Sequence, residues 1–442
     1  MKILFISLGC DKNLSDTEMM LGMLQKAGYS FTDDEGQAQA VVVNTCCFIG
    51  DAKEESIQVL LEMAQLRKKG QIQALLATGC LAQRYQEEIC REIPEVDAVI
   101  GTGATEEIVE ALEEALAGKG RNHFRSLDGT PVSCRDRVLT TGGHYAYLKI
   151  AEGCNKRCTY CIIPKVRGNY RSIPLEELVS QAAGLAQGGV KELVLVAQET
   201  TLYGVDLYGE KRLPALLKEL AKIPGIHWIR ILYCYPEEIT EELMEVMAEE
   251  PKVCHYLDIP IQHAADSVLR RMGRRTTQAD LRERIGQLRR RIPDICLRTT
   301  LISGFPGETQ EEFEELYRFV NEMEFDRLGV FPYSQEEDTV AFGLPDQVAQ
   351  EVKEGRRDEL MELQQAISYD MAGDQVGRVL TVMVEGKVAN EDVYVTRTYR
   401  DAPGVDGYLF LNTTAELVTG DFVKVLVTDS NEYDLIGEMY HA

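Results

Sequence analysis

The sequence has no apolar run approaching the roughly 20 residues that a membrane-crossing helix needs, so no membrane span is expected. Its opening, KILFISLGC, is only briefly apolar before Asp11 and Lys12 and lacks a small-residue cleavage site. It reads as a first β-strand rather than an export signal, and a cytoplasmic protein is the expectation. Positive charge is scarce. Among 442 residues, 47 Lys and Arg face 72 Asp and Glu, a formal net charge of −25. That balance argues against non-specific nucleic-acid binding, which needs a positive footprint. It leaves a surface suited to a basic partner. No internal repeat or low-complexity tract stands out.

Cysteine, in contrast, is abundant, with twelve in the chain. Without an export signal these do not read as a disulfide framework. In a reducing compartment such residues more often bind metal or do chemistry.

Hydrophobic patterning divides the chain. Residues 1–117 alternate apolar runs with helical periods, with strands expected at 3–8, 41–45, 74–78 and 98–100 and helices near 15–27, 52–68, 82–92 and 105–117. Such alternation implies a parallel sheet covered on both faces. Residues 118–143 carry Gly118, Gly120, Gly129, Pro131, Gly142 and Gly143 and read as a linker. From 144 to 372 six further strand–helix units are expected, with strands at 145–150, 193–197, 228–233, 255–260, 296–303 and 327–332. That suggests a partial (β/α)6 barrel, whose chemistry belongs at the carboxyl ends of its strands. Residues 373–442 show short β-branched runs between Gly, Asp and Asn turns and read as a small all-β barrel. Net charge is −11 over 1–117, −7 over 374–442 and −7 over the much longer middle.

The sharpest motif is GCNKRCTYC, which spaces Cys154, Cys158 and Cys161 as CxxxCxxC directly after an apolar strand. Three thiolates from one loop can hold three irons of a cubane cluster, leaving one iron open. An open position separates a catalytic metal site from a closed structural one. Zinc is the alternative, but it usually takes a second cysteine pair or histidines nearby, and no matching second pair is close. A second set is dispersed: Cys10, Cys46 and Cys80 each fall at or just past the carboxyl end of an expected strand. In a parallel sheet those ends share one edge, where ligands bind, so three thiolates converge there. Buried small hydrophobes are the plain alternative. Cys46 is the expected partner because it directly ends its strand, with Cys47 the competing neighbour. Cys47, Cys90, Cys134, Cys234, Cys254 and Cys296 share no spacing and read as core or incidental.

The CxxxCxxC loop after the first strand of a partial barrel resembles the radical S-adenosylmethionine enzymes. In that superfamily the open iron binds the amino and carboxylate groups of S-adenosylmethionine, and one electron cleaves it to a 5′-deoxyadenosyl radical. The resemblance implies a reducing electron donor. It also implies that Tyr160 lies near adenine, and it offers Gln262 in DIPIQHA and Arg298 in LRTTLISGFPGE as cofactor contacts at strand ends. Structural polar packing is the competing reading for both.

SLGCDKNLSD, NTCCFI and TGC ahead of that loop are similar to the methylthiotransferases, over essentially the whole chain and in the same domain order. That family carries an amino-terminal domain with an auxiliary cluster, a radical domain and a terminal TRAM domain. The resemblance implies two 4Fe-4S clusters, one on Cys154, Cys158 and Cys161 and one on Cys10, Cys46 and Cys80. It further implies two uses of S-adenosylmethionine, as methyl donor and as radical source. A soft metal site apart from the cofactor-cleaving iron suits the storage of sulfide.

Family members modify either tRNA adenosine or protein. LGCDKNLSD, IAEGCNKRCTYCIIPKVRG, LDIPIQHAADSVLRRM and TRTYRDAPGVDG are similar to the branch that methylthiolates the β-carbon of an aspartate in small-subunit ribosomal protein S twelve. The acidic terminal domain suits that basic protein, free or on the ribosome. Two features offer secondary RNA contact: the TRTYR run at 396–400 and nine arginines between Arg270 and Arg291. An ordinary strand end and a solvated helix face paired with carboxylates are the plainer readings.

Overall fold

The computed structural model describes residues 1–131 and 136–441. The first body is a five-stranded parallel sheet in the order β2-β1-β3-β4-β5. Its strands are β1 (Lys2–Ser7), β2 (Ser30–Phe31), β3 (Ala40–Thr45), β4 (Ala74–Gly79) and β5 (Ala98–Ile100). β3 and β4 are buried along their whole length, as expected of strands covered on both faces. Helices α1 (Asp11–Lys26), α2 (Gly50–Lys68), α3 (Cys80–Tyr85), α4 (Glu87–Glu92) and α5 (Ile108–Leu116) supply the cover. The expected helix over 82–92 is two helices, broken at Gln86, whose φ is +42°. α1 begins at Asp11, immediately after Cys10, rather than at 15. The two-residue β2 is too short to leave a pattern in the sequence.

The second body is an open six-stranded parallel sheet, ordered β13-β12-β11-β10-β9-β6. It comprises β6 (Tyr145–Lys149), β9 (Glu192–Val196), β10 (Trp228–Ile231), β11 (Val253–Asp258), β12 (Cys296–Ser303) and β13 (Arg327–Pro332). The small ribbon β7 (Ala151–Glu152) with β8 (Arg171–Ser172) flanks the cysteine loop. Helices α6 (Ile163–Val166), α7 (Leu175–Gln187), α8 (Val205–Tyr208), α9 (Leu213–Ala221), α10 (Glu241–Glu249), α11 (Asp266–Arg271), α12 (Gln278–Arg291), α13 (Gln310–Met323) and α14 (Gln350–Gly373) complete this part. The sheet's outer face, with Leu148, Leu195, Ile229, Leu257, Leu297 and Leu301, packs with Leu178, Leu216, Leu243, Leu281 and Phe313 from those helices into the largest core. Strand order following chain order gives the partial (β/α)6 barrel.

The third body is a closed barrel, β14 (Val379–Lys387), β15 (Val393–Thr398), β16 (Leu409–Asn412), β18 (Leu435–Met439) and β17 (Phe422–Ser430). Its fifth strand, β18, was not expected from the sequence; it closes the barrel by pairing with both β16 and β17. The segment after β15 enters the concave face of the open sheet. Arg230 donates to the carbonyls of Tyr399 (2.6 Å) and Thr398, Tyr256 to Asp406 at 2.7 Å, and Cys296 lies 3.3 Å from the Arg400 carbonyl. TRTYR is therefore interior: Thr396, Arg397 and Thr398 are fully buried.

Glu192 anchors this junction, taking Arg230 and Arg397 at 2.7 Å each with all three side chains inaccessible. Burial alone would raise its pKa, but Arg397 and Arg230 outweigh burial and hold the carboxyl below its usual range. Removing one member of a buried ion cluster leaves uncompensated charge, at a cost of about 3–5 kcal/mol. Glu192→Gln is therefore expected to lower the thermal transition by several degrees; a melt matching that of the unaltered chain would show that the cluster does not hold the junction.

Candidate functional site

Cys10, Cys46 and Cys80 follow β1, β3 and β4, three adjacent strands of one sheet, so their loops share its carboxyl edge. Glycine directly precedes Cys10, Cys80 and Cys154, with φ of +88°, +93° and +80°. A Cβ at Gly9 would meet Cys46 Sγ at 2.8 Å, and one at Gly79 the Thr45 carbonyl oxygen at 2.4 Å. The left-handed turn and the tight approach both require glycine there, and the turn swings each cysteine off its strand.

Asn13 ties the three loops together. Its amide donates to the carbonyls of Leu8 and Thr45 at 3.0 Å each, and its carbonyl oxygen lies 3.8 Å from Cys80 Sγ. Cys46 and Cys80 both sense Cys10 electrostatically. Cys47 does not. Its thiol is fully buried in the apolar core, pushed up to about 12 by burial, with Arg84 next to it. Cys46 therefore differs from Cys47 in its surroundings, although Cys80 lies near both.

Cys154, Cys158 and Cys161 form the second set, on the loop between β7 and α6. Burial pushes the Cys154 thiol up to about 11, and Cys158 raises it further. Burial and then Cys158 likewise raise Cys161. Among the described residues, neither cysteine set brings all three sulfurs within 4.8 Å of one another. A single tetrahedral zinc, with Zn–S bonds near 2.3 Å, would hold them about 3.8 Å apart. As placed, neither set has the spacing of a single zinc site.

Buried polar atoms around the second set lack partners. Arg274 stacks on Tyr235 with its guanidinium carbon 4.2 Å from the ring centre, and the Tyr235 hydroxyl lies 3.7 Å from Cys158 Sγ. Arg274 donates to the Pro260 carbonyl at 2.9 Å, while its Nε and Nη1 have no partner. On the Cys154 side Glu199 is pushed up to about 7 by burial. Its Oε1 accepts from Thr201, and its Oε2 has no partner. Unsatisfied buried donors and acceptors are costly. An orphaned guanidinium suits cluster sulfur or a carboxylate, and an orphaned carboxyl suits an ammonium, so the residues fit an iron–sulfur cluster with bound S-adenosylmethionine. Neither residue carries a signal in a single sequence.

Tyr160 packs edge-to-face on Phe305, centroids 6.4 Å apart, at the carboxyl end of β12. Gln262 lies past the end of β11 with φ +71°. Its backbone pairs with Thr300 and Ile302, leaving its half-buried amide free of any described partner. Such strain in a non-glycine residue collects at functional sites. Arg298 sits earlier in its strand than expected. It is the third of eight residues in β12, level with the end of β11 but short of the end of its own strand. Asp258 at 2.9 Å and Asp406 at 3.5 Å already take its charge. Of the other cysteines, Cys234, Cys254 and Cys296 are buried, Cys90 is half-buried, and Cys134 lies outside the described residues.

Three family models match in the same order: uncharacterized protein family UPF0004 over 2–101, the radical SAM superfamily over 148–320, and the TRAM domain over 376–439. A protein of Lachnoclostridium phytofermentans named ribosomal protein uS12 methylthiotransferase RimO is 58% identical over 437 residues, covering 99% of each chain. One of that name from Desulfitobacterium hafniense is 49% identical over 442 residues, covering 99% of this chain and 98% of the relative. The chain belongs to the RimO family. It is a radical S-adenosylmethionine methylthiotransferase, working with an iron–sulfur cluster and S-adenosylmethionine. Among solved structures it is similar in fold to the radical S-adenosylmethionine methyltransferase TsrM from Kitasatospora setae. That match has a TM-score of 0.53 at 14% identity, over 74% of this chain and 72% of the other.

For a RimO-family chain of this geometry, Cys46→Ala is expected to lower reconstituted iron by about one cluster, four irons. Cys47→Ala should leave iron unchanged, and the reverse pattern would exchange the two assignments. Alanine at Cys154, Cys158 or Cys161 should abolish 5′-deoxyadenosine formation, assayed by chromatography.

Proposed function

We propose that this chain methylthiolates the β-carbon of an aspartate in ribosomal protein uS12, with a separate 4Fe-4S cluster on each cysteine set. The observation that carries the reading is the meeting of both sets across one domain junction, in a chain whose near relatives bear that name. Lys149 and Arg167, beside the CxxxCxxC loop, bind Asp16 of α1, and Arg167 reaches Cys80. When bound, the clusters and S-adenosylmethionine supply the electron, the radical, the sulfur and the methyl group.

The chain's own residues hold and shield these groups. Cys154, Cys158 and Cys161 leave one metal position open. Arg274 and Glu199 offer their unsatisfied groups to a cofactor carrying both carboxylate and ammonium, Tyr160 presents an aromatic wall, and Gln262 presents a free amide. On the auxiliary side Cys10 is exposed while Cys46 and Cys80 are buried, so the opening faces Cys10. Lys12 and Asp11 stand beside it, with Lys12 Nζ 3.2 Å from the centre of the Tyr233 ring. A one-electron donor is required, and the acidic surface suits the basic substrate, free or on the ribosome. RNA contact is secondary, since three of the nine arginines pair with glutamates: Arg271 with Glu312, Arg282 with Glu322 and Arg291 with Glu245.

The test is intact-mass analysis of uS12 after anaerobic incubation with reconstituted enzyme, S-adenosylmethionine and dithionite. One methylthio group should replace one hydrogen, on an aspartate. Unmodified uS12 alongside continued 5′-deoxyadenosine formation would overturn the substrate, and tRNA would be assayed next.

A further inference from the structure

Arg167 lies just past the CxxxCxxC loop, at the end of α6, and its side chain is 2% exposed. Every donor nitrogen of its guanidinium is engaged. Nε lies 3.3 Å from Cys80 Sγ, Nη1 contacts Asp16 at 2.6 Å and Glu152 at 3.2 Å, and Nη2 donates to the Asn13 side chain. Glu152 accepts from the Gln198 amide at 2.8 Å, and Gln198 accepts from the Gly153 backbone N–H at 2.8 Å. Gly153 adjoins Cys154. A continuous chain of hydrogen bonds, buried at Arg167 and part-buried at Gln198, therefore runs from the sulfur of one cysteine set to the backbone beside the other.

Resting on the two-cluster reading, we propose that Arg167 is a positioning residue for the auxiliary cluster, hydrogen-bonded to its Cys80 ligand and setting its reduction potential. Two observations carry this. The contact is made to sulfur, not to a neighbouring carbonyl. Asp16 and Glu152 fix the fork from two sides, so the planar guanidinium has one orientation. Hydrogen bonds and positive charge at a cluster's sulfurs favour the reduced state. Partners that orient a ligand from outside typically change affinity or activity about 10–100-fold when removed.

A purely structural reading gives Arg167 only the task of joining two domains. Lys149 performs that task too, bridging Asp16 and Glu152 without touching a cysteine. The two readings differ in what a spectroscopic titration sees.

The experiment compares full-length, reconstituted wild type with Arg167→Gln and Arg167→Lys by redox titration monitored with electron paramagnetic resonance, alongside iron counts. The radical cluster's signal in each sample is the internal reference. Arg167→Gln should move the auxiliary midpoint to more negative potential relative to that reference. It should also lower methylthiolation per 5′-deoxyadenosine formed by about tenfold or more. Arg167→Lys keeps the charge but not the fork, and should move the midpoint the same way by less. If Arg167→Gln does not fold, the lysine variant decides alone. An unmoved auxiliary midpoint in a folded variant holding both clusters overturns the assignment. Wild type holding only one cluster overturns the two-cluster reading and the inference with it, and is distinguished by the iron count of the unaltered protein.

Discussion

Asp16, Lys149, Glu152 and Arg167 form a closed knot of two acids and two bases, all buried, where the first sheet meets the open barrel. Desolvating four charges is expensive, and such clusters contribute less to stability than a well-packed apolar substitute would. Their value is directional. Apolar packing tolerates sliding, whereas a guanidinium held by Asp16, Glu152, Asn13 and Cys80 admits one docking of the two bodies. Both carboxyl edges that carry cysteine face that junction, so the separation of the two sets is governed by this knot. Without it, each loop could fold correctly and the pair still be misplaced.

Local geometry meets the same demand within each loop. A strand-end cysteine in a buried parallel sheet points into the core unless the backbone reverses. Left-handed glycines at Gly9, Gly79 and Gly153 accomplish the reversal, and their missing Cβ atoms let Cys46, Thr45 and the Asn169 carbonyl approach closely. The Cys46 loop has no such glycine. Ser56 holds it instead, accepting from the Cys46 N–H and donating to its carbonyl, both at 2.9 Å.

These contrasts explain what could be read beforehand. Strands β3, β4, β12 and β13 follow apolar periodicity with clear ends, and they lie where the pattern put them. The dispersed cysteines were legible because each ended an apolar run, and parallel topology then brought the runs together. β2 and β18 were not, being a two-residue edge and a strand interrupted by Gly437. Arg274, Glu199, Asn13 and Arg167 were invisible for a different reason. Asn13 meets Thr45 and Cys80, 32 and 67 positions on, Arg167 meets Cys80 and Asp16, 87 and 151 positions back, and Arg274 and Glu199 stand out by the absence of a partner; no local spacing encodes either. Arg298 shows the competing pull: a residue in a promising motif, level with the site, that also pairs with Asp258 and Asp406.

The inward turn of the segment after β15 bears on what the terminal barrel can recognise. Residues 374–442 contain five basic side chains, Arg378, Lys387, Arg397, Arg400 and Lys424, against twelve acidic ones. Arg397 is committed to Glu192 and Glu385, and Arg400 to Asp326 and the floor of the open sheet. The two arginines of the TRTYR run that made it resemble a phosphate-binding patch are thus withdrawn from solvent to weld the barrel in place. Asp401 and Asp406 are buried with them, so what remains outside keeps the acidic balance of the whole domain. Since phosphate neutralisation dominates RNA affinity, a surface with few free bases disfavours a nucleic-acid backbone and suits a basic polypeptide. The same residues that hold the barrel against the open sheet therefore leave a face whose charge favours a protein substrate.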